Sequence, residues 1–224
     1  SQEEMDAHLA KVDQSSVGTN WGVGDIMYAD LDGDGKISNG TNKLGDTGDY
    51  RIIGNSTPRF KYGITLDAAW KGFDFSIFMQ GIGKRDLWLD GCYFWGANGQ
   101  GNEWQSTGFA EHWDFFRPEG DPLGANLNSY YPRVNFSGDR NTKVQTRYLQ
   151  NGAYLRLKNV QLGYTLPRVW TEKAGISSVR VYVSGDNLAT ITSLSKIFDP
   201  EATGSLAGTG SGKLYPFMHL PIRM

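Results

Sequence analysis

The stretch that decides the fold is residues 61–81, KYGITLDAAWKGFDFSIFMQG, in which apolar and polar side chains alternate along two arms. The dipeptide Lys71–Gly72 separates the arms, and a two-residue connection that ends in glycine is typical of a β-hairpin turn. We therefore predict a hairpin with one apolar and one polar face. The apolar positions are Tyr62, Ile64, Leu66, Ala68 and Trp70 before the turn, and Phe73, Phe75, Ile77, Met79 and Gly81 after it.

Two classes of protein contain hairpins of this kind. Each arm is about ten residues long, the length that a tilted strand needs to cross the hydrocarbon layer of a membrane. Trp70 and Phe73 at the turn match the aromatic girdle of such a barrel. A hairpin from a soluble β-sandwich alternates in the same way, so periodicity alone leaves both classes open.

Further strands are predicted in residues 155–166 and from Val179 onward. The apolar positions change parity at Lys158–Asn159, which would turn side chains to the wrong face unless a β-bulge absorbs the extra residue. We therefore predict a bulge there. Pro167 ends the strand, and residues 168–174 are predicted to form a helical turn.

The remaining segments are predicted to be mostly irregular. A short helix is expected at residues 2–12 and another at 107–116. Residues 24–58 are rich in Gly, Asp and Asn, and a polar loop of this length is expected to need an ion, a ligand or a partner surface. Residues 83–147 read as a set of surface loops.

Composition excludes several classes of protein. The 224 residues carry a formal net charge of −2, which argues against nucleic acid as a partner. The single cysteine, Cys92, excludes an intramolecular disulfide. The sequence contains no apolar run long enough for a transmembrane helix and starts at Ser1 rather than at methionine, so we expect a fragment of a longer protein.

A candidate calcium site lies in residues 30–37, DLDGDGKI. Asp30, Asp32 and Asp34 occupy alternate positions, and Gly35 stands at the sixth position, where a loop of the EF-hand type turns sharply. Lys36 would contribute its backbone carbonyl oxygen. An all-oxygen ligand set favours Ca²⁺ over zinc or copper.

The last position of this predicted site departs from the EF-hand pattern. The twelfth position is Thr41 rather than a bidentate carboxylate. Asp46, or Asp49, could replace it after an insertion, and we include Asp46 in the predicted site. The alternative is a solvated turn whose carboxylates only bind local amides.

Aromatic residues of the long loops are candidates for ligand binding. Trp88, Trp95 and Trp104, together with Tyr93 and Trp113, could stack on sugar rings. The alternative is that these side chains pack the loops against one another.

Signatures of catalysis are weak. A glycosidase pair such as Glu103 and Glu111 can be proposed, but a sequence does not give the separation between two carboxylates. The three histidines show neither metal-ligand nor triad spacing, and Cys92 lacks a nucleophile signature. We therefore predict that the chain is not an enzyme.

Several segments, in order, resemble the carboxy-terminal part of SusC/RagA-type TonB-dependent outer-membrane transporters of Bacteroidetes. The resemblance extends over residues 2–216. It is carried by GDI at 24–26, YADLDGDGKI at 28–37, IIGNSTPRF at 52–60, GI at 63–64, KGFDFS at 71–76, YLQNGAYLRLKNV at 148–160, LGYTLP at 162–167, VYVSGDNL at 181–188 and FDPE at 198–201.

The resemblance implies an all-β fold, the C-terminal portion of a large antiparallel transmembrane β-barrel of about 22 strands with long extracellular loops. The chain would then consist of an extracellular loop with the calcium site (1–58), a β-hairpin (59–82), long extracellular loops (83–147), barrel strands (148–216) and a tail (217–224). The tail departs from the family, because Pro221 is a poor residue for a closing strand.

The resemblance also implies partners. A SusD-like surface lipoprotein would cap the barrel, and TonB would supply energy through a missing N-terminal part. The substrate would be an oligosaccharide or a peptide, and the barrel would contact membrane lipid in the outer membrane. The alternative from a different class is a secreted calcium-binding β-sandwich that binds carbohydrate.

Overall fold

The chain divides into two units, each described here by itself. The computed structural model describes residues 1–41, 43–99, 101 and 108–203. The loop unit consists of Ser1–Ile53 and Leu89–Tyr148, and the sheet unit consists of residues 54–88 and 149–203. The predicted tail, residues 217–224, lies outside the described residues.

A four-stranded antiparallel sheet forms the centre of the sheet unit. Its strands lie side by side in the order β1 (Arg59–Trp70), β2 (Phe73–Lys84), β5 (Tyr154–Thr165) and β6 (Arg180–Thr192). A small second sheet pairs β3 (Asp86–Leu87) with β4 (Gln150–Asn151). The regular structure of the described residues is thus mostly strand, with few and short helices, and the strands form open sheets rather than a closed barrel.

The turn between β1 and β2 is the predicted two-residue connection. Trp70 pairs with Phe73, and the two residues between them, Lys71 and Gly72, have φ angles of 46° and 88°. Two consecutive left-handed residues give a turn whose twist matches that of the flanking strands. Glycine adopts this conformation without steric cost, which explains its place at the second position.

The predicted β-bulge is confirmed. Phe78 pairs with Asn159 and Met79 pairs with Leu157, so Lys158 lies opposite no residue of β2. The pairing of β5 with β6 shifts at the same place. The extra residue restores the parity of β5, so its apolar residues stay on one face along the whole strand.

This register builds a continuous apolar face. Residues paired across strands lie on the same face, so Leu66, Ile77 and Val160 form one row across three strands. The apolar face consists of several such rows of paired residues. The large side chains of the apolar face that are 37–72% exposed are Tyr62, Ile64, Leu66, Trp70, Phe73, Phe75, Leu162, Val181, Val183 and Ile191.

The opposite, polar face carries paired charges. Arg180 on β6 binds Asp74 on β2 through two nitrogens, with Nε 3.0 Å from Oδ1. The pair spans β5 above Gly163, where a Cβ atom would lie 2.5 Å from Asp74 Oδ1 and 2.7 Å from Arg180 Nη2. Because Gly163 has no side chain, it leaves space for the ion pair between β2 and β6, which are not adjacent strands.

Other strand glycines lie beneath aromatic rings. Tyr62 crosses Gly81, and its hydroxyl donates to the carbonyl oxygen of Tyr154 at 3.3 Å. A Cβ atom at position 81 would lie 2.5 Å from Tyr62 Cζ and would clash with the Tyr154 carbonyl oxygen. At Gly63 a Cβ atom would meet the Phe78 ring at 3.3 Å. Aromatic rings covering glycines in this way help to fix the register.

The helices are short. Helix α1 (Gln2–Leu9) begins with a capping box, in which Glu4 N–H donates to Ser1 Oγ at 3.2 Å. The helix predicted at residues 2–12 is confirmed over residues 2–9, but it ends three residues earlier than predicted, and Asp13 N–H donates to Gly35 O instead of continuing the helix. Helix α3 (Arg168–Thr171) and a 3₁₀ turn at Glu172–Ala174 confirm the predicted helical corner.

The helix predicted at 107–116 is wrong for its described part. The structure has only a 3₁₀ turn at Ala110–Trp113, because Phe116 N–H donates to Tyr131 O and Tyr131 N–H donates to Asp114 O. A four-residue helix, α2 (Cys92–Trp95), was not predicted. Among the described residues, none of the helices is long and apolar enough to span a membrane.

Replacement of the two covered glycines should have different effects. We expect Gly81→Ala to lower the free energy of unfolding by about 1–3 kcal/mol, because the new methyl group meets a backbone oxygen that cannot move away. Gly63→Ala, the matched control, should cost less than about 1 kcal/mol, since its tight 3.3 Å contact is with the edge of the Phe78 ring, a side chain that can shift by a few tenths of an ångström. Urea denaturation followed by tryptophan fluorescence measures both, and equal losses would contradict the register.

Candidate functional site

The acidic loop folds around the carboxylate of Asp30. Gly33 N–H donates to Asp30 Oδ1 at 2.6 Å, and Gly35 N–H donates to Oδ2 at 2.8 Å. Both glycines have a φ of 81°, a left-handed conformation that allows their N–H groups to converge on one side chain. The sequence pattern therefore produces a tight acidic turn.

Asp49, which lies beyond the acidic motif in the sequence, is hydrogen-bonded to this loop at two places. Leu31 N–H donates to Asp49 Oδ1 and Ser38 N–H donates to Oδ2, each at 2.7 Å. As a result, Asp49 lies beside Asp30 and Asp32, and one carboxylate oxygen from each of the three lies within 4.8 Å of the others. This is an oxygen-only set of the type that Ca²⁺ prefers.

The other predicted ligands lie apart from this group. Asp34 Oδ1 accepts from Lys36 N–H at 3.0 Å, and Asp34 Oδ2 lies 3.6 Å from Lys36 Nζ. Asp46 accepts from Thr41 N–H at 3.1 Å and from its hydroxyl at 2.5 Å. The structure thus groups Asp49, rather than Asp46, with the first two aspartates of the motif.

The three carboxylates repel one another. The hydrogen bond from Asp34 N–H lowers the pKa of Asp32, but burial and the carboxylates of Asp34, Asp49 and Asp30 outweigh it and raise this pKa above its ordinary value. The N–H of Gly35 holds the pKa of Asp30 below its ordinary value. A bound cation would relieve the repulsion between these groups.

A buried ionic cluster fixes the chain before the acidic loop. The side chain of Asp25 is fully buried and forms ion pairs with Arg133 and Arg140, the latter with Nε at 3.6 Å from Oδ2. Asn141 Nδ2 donates to Asp25 Oδ1 at 2.8 Å, and Gly22 N–H donates to Oδ2 at 3.0 Å. Charges buried this deeply need such partners.

The same region connects the acidic loop to the second half of the loop unit. Ile26 N–H donates to Asn141 Oδ1 at 3.0 Å, and the Tyr28 hydroxyl donates to the carbonyl of Arg140. Gln14 adds a link, because its Oε1 accepts from Tyr28 N–H at 3.1 Å. This cluster could not be predicted from the sequence, since Asp25 and its partners Arg133, Arg140 and Asn141 are more than 100 residues apart and share no motif.

The predicted ligand-binding tryptophans are placed differently from one another. Trp95 is 2% exposed and lies in an aromatic cluster, with its ring 4.8 Å from Tyr148 and 5.1 Å from Phe94 between centroids. Trp88 is half-buried and belongs to the sheet unit, and Trp104 lies outside the described residues. Trp95 therefore packs the loops against one another, because neither face of its ring is open to a sugar.

A small apolar cleft lies beside this cluster. Its volume is about 180 Å³, and its lining includes Trp95, Phe109, His112, Trp113 and Tyr131. Pockets for small-molecule ligands usually have volumes of about 300–1,000 Å³. The cleft is therefore too small to hold an oligosaccharide.

His112 in this cleft has a packing role. Its Nδ1 accepts from Phe109 N–H at 3.1 Å, so its proton is on Nε2, which faces the carbonyl oxygens of Tyr93 and Phe94 at 3.1 Å. Both ring nitrogens are thus engaged by the backbone. Glu111 lies nearby in the chain, and its predicted catalytic partner Glu103 lies outside the described residues.

The chain is similar to two curated proteins from Formosa agariphila. It is 35% identical over 180 residues to TonB-dependent receptor P3, which covers 80% of this chain and 16% of that protein. It is 30% identical over 206 residues to TonB-dependent receptor P26, which covers 91% of this chain and 18% of that protein. The chain thus spans less than a fifth of the length of these relatives. No model of a protein family matches it.

Solved structures agree with these relatives. The chain is 29% identical to a chain of the RagAB peptide importer in the open-open state, with a TM-score of 0.51 over 68% of this chain and 15% of that chain. For the closed-closed state the identity is 27% and the TM-score 0.52, over 86% and 19% of the two chains. The chain therefore belongs to the SusC/RagA-type TonB-dependent transporters, of which it represents a fragment.

Proposed function

We propose that this chain forms part of the wall of an outer-membrane β-barrel through which a TonB-dependent transporter imports large nutrients. The observation that carries this proposal is the apolar face, which extends across all four long strands. Its large side chains are 37–72% exposed. Lipid is the partner that such a face fits, since a barrel strand alternates apolar residues outward and polar residues inward.

The dimensions of the sheet support this reading. The four strands are 12 or 13 residues long. At about 3.3 Å per residue each is roughly 40 Å long, and a tilt of about 45° reduces its height to about 28 Å. This height matches the apolar band of an outer-membrane barrel, which is about 25 Å tall.

The β-sandwich alternative has less support. A sandwich buries its apolar face beneath a second sheet, whereas the second sheet among the described residues has only two residues in each strand. Three strand spacings of about 4.8 Å and a length of about 40 Å give an exposed apolar face of roughly 600 Å². That area is at the upper end of what soluble monomers expose.

The connections of the sheet favour an orientation in the membrane. The tight turn at Lys71–Gly72 and the shorter connection from β5 to β6 join strand ends at one edge of the sheet, and the long segments that precede β1 and join β2 to β5 are attached to the opposite strand ends. Outer-membrane barrels have short turns toward the periplasm and long loops outside the cell. We therefore propose that these long segments are extracellular loops.

The substrate class and partners follow from the family. RagAB is a peptide importer, and we propose that the complete protein imports oligosaccharides or peptides. It would do so with a SusD-like surface lipoprotein over the barrel and with TonB as the source of energy. Such a transporter moves its substrate without chemical change, so catalytic residues are not required.

A charge on the apolar face should be costly only in a membrane. Leu66 and Thr65 are neighbours near the middle of β1, both exposed, on the apolar and the polar face respectively. In the complete barrel, folded in lipid bilayers, we expect Leu66→Arg to lower the free energy of unfolding by about 2–4 kcal/mol. Thr65→Arg, its matched control, should lower it by less than about 1 kcal/mol.

The same two variants measured without lipid complete this test. A chain that folds cooperatively as a soluble monomer without detergent, with both variants equally stable, would contradict the barrel. Size-exclusion chromatography and urea denaturation, each with and without detergent, distinguish the two results.

We further propose that Asp30, Asp32 and Asp49 bind Ca²⁺ and thereby stabilise the extracellular loop. The convergence of their oxygens within 4.8 Å supports the site. So does the mutual repulsion that raises the pKa of Asp32. Calcium is plentiful outside cells, and a dissociation constant of about 10⁻⁴ M is typical of extracellular modules.

Calcium should therefore raise the stability of the loop unit. At a free concentration about 100 times the dissociation constant, the expected gain is about 2.7 kcal/mol. We expect Asp49→Asn to abolish this gain and Asp46→Asn, its matched control, to leave it unchanged, because only Asp49 joins the other two carboxylates. Thermal unfolding with calcium and with EDTA measures both variants.

Two results would contradict the calcium site. One is a native chain whose thermal midpoint is the same in calcium and in EDTA. The other is loss of the calcium effect in Asp46→Asn but not in Asp49→Asn, which would show that Asp46, rather than Asp49, is the calcium ligand.

A further inference from the structure

The chain after β6 folds back over the polar face of the sheet. We call residues 194–203 the strap. The carboxylate of Glu201 lies 2.8 Å from Arg156 Nη1 and 3.0 Å from Lys158 Nζ, and its other oxygen lies 3.4 Å from the Tyr154 hydroxyl. These contacts reach three side chains of β5, so Glu201 lies over the strand rather than beyond its end.

Arg156 is the principal contact between the strap and the sheet. This side chain is buried, and it binds both oxygens of Asp199, with Nη2 at 2.7 Å from Oδ1 and Nη1 at 3.2 Å from Oδ2. Its Nε donates to Thr190 Oγ1 at 2.8 Å, which fixes the guanidinium against β6. A two-point contact between a guanidinium and a carboxylate is strong and directional.

A second arginine holds the far end of the strap. Arg85 is buried and donates to Thr203 O at 2.8 Å and to Thr203 Oγ1 at 3.2 Å. Its Nε donates to Ser56 O at 2.9 Å, so it joins the strap to the segment before β1. At the near end, Leu194 and Ile197 are buried. The strap is thus held along its whole length.

The strap nevertheless differs from a strand. Its own backbone forms local turns, in which Phe198 N–H donates to Ser195 O and Ala202 N–H donates to Asp199 O, each at 3.0 Å. Segments held by side-chain contacts open locally at a lower free energy than strands in a ladder. The ion pairs that oppose opening join four charged side chains, Arg156, Lys158, Asp199 and Glu201.

We propose that the strap is a movable closure, held shut by the contact of Arg156 with Asp199 and Glu201, which opens as a unit while the sheet stays folded. The consequence for transport rests on the proposed function, because only in a barrel does the polar face line the lumen. There the closed strap narrows the passage at its extracellular end, and release of Arg156 widens it.

Hydrogen–deuterium exchange of the whole chain, in the medium in which it folds, tests this proposal. Arg156→Gln should speed exchange in peptides that cover residues 194–203 about tenfold and leave β2 unchanged. The double variant Asp199→Asn with Glu201→Gln should do the same, and it leaves the sheet residues intact. Arg180→Gln, which breaks an ion pair elsewhere on the polar face, is the matched control and should leave the strap protected.

Two outcomes would overturn the proposal. Either exchange in the strap stays unchanged in both the arginine variant and the double variant, or exchange rises equally in strap and strands, which would make them one cooperative unit. Hydrogen–deuterium exchange measures the opening of the strap in this chain, and the result does not depend on whether the complete protein transports a substrate. Failure of the barrel is detected separately, by the loss of detergent dependence.

Discussion

The in-register pairing of four long strands is the constraint on which the rest of the structure depends. A shift of one residue would move every apolar side chain to the other face, and β5 contains such a shift at Lys158. The bulge there absorbs it, so Leu157 and Val160 stay on one face despite their odd spacing. Because of this correction, one side of the sheet is apolar enough for lipid and the other is free for charged groups.

The polar face uses that freedom in two ways. Near the short turns, Asp74 and Arg180 pair across Gly163, which fixes three strands with one contact. Near the long connections, Arg156 binds the strap instead. Both arrangements keep charged groups on the polar face of the sheet paired. The sheet therefore combines a continuous apolar face with specific ion pairs on its polar face.

The loop unit is stabilised by different physics. Its backbone has little regular structure, so its polar groups are satisfied by side chains, above all around the buried carboxylate of Asp25. The aromatic cluster around Trp95 supplies the apolar core. In the acidic loop, carboxylate oxygens of Asp30, Asp32 and Asp49 lie within 4.8 Å of one another.

The sequence by itself determined the strands, the turn at Lys71–Gly72, the bulge at Lys158 and the acidic turn, because each depends on residues that are neighbours in the chain. Only the tertiary structure decided which carboxylate joins Asp30 and Asp32, and that Trp95 is buried. It also placed Arg133 beside Asp25, 108 residues away. Such contacts depend on how distant segments pack against each other, and the local periodicity of the sequence does not predict that packing.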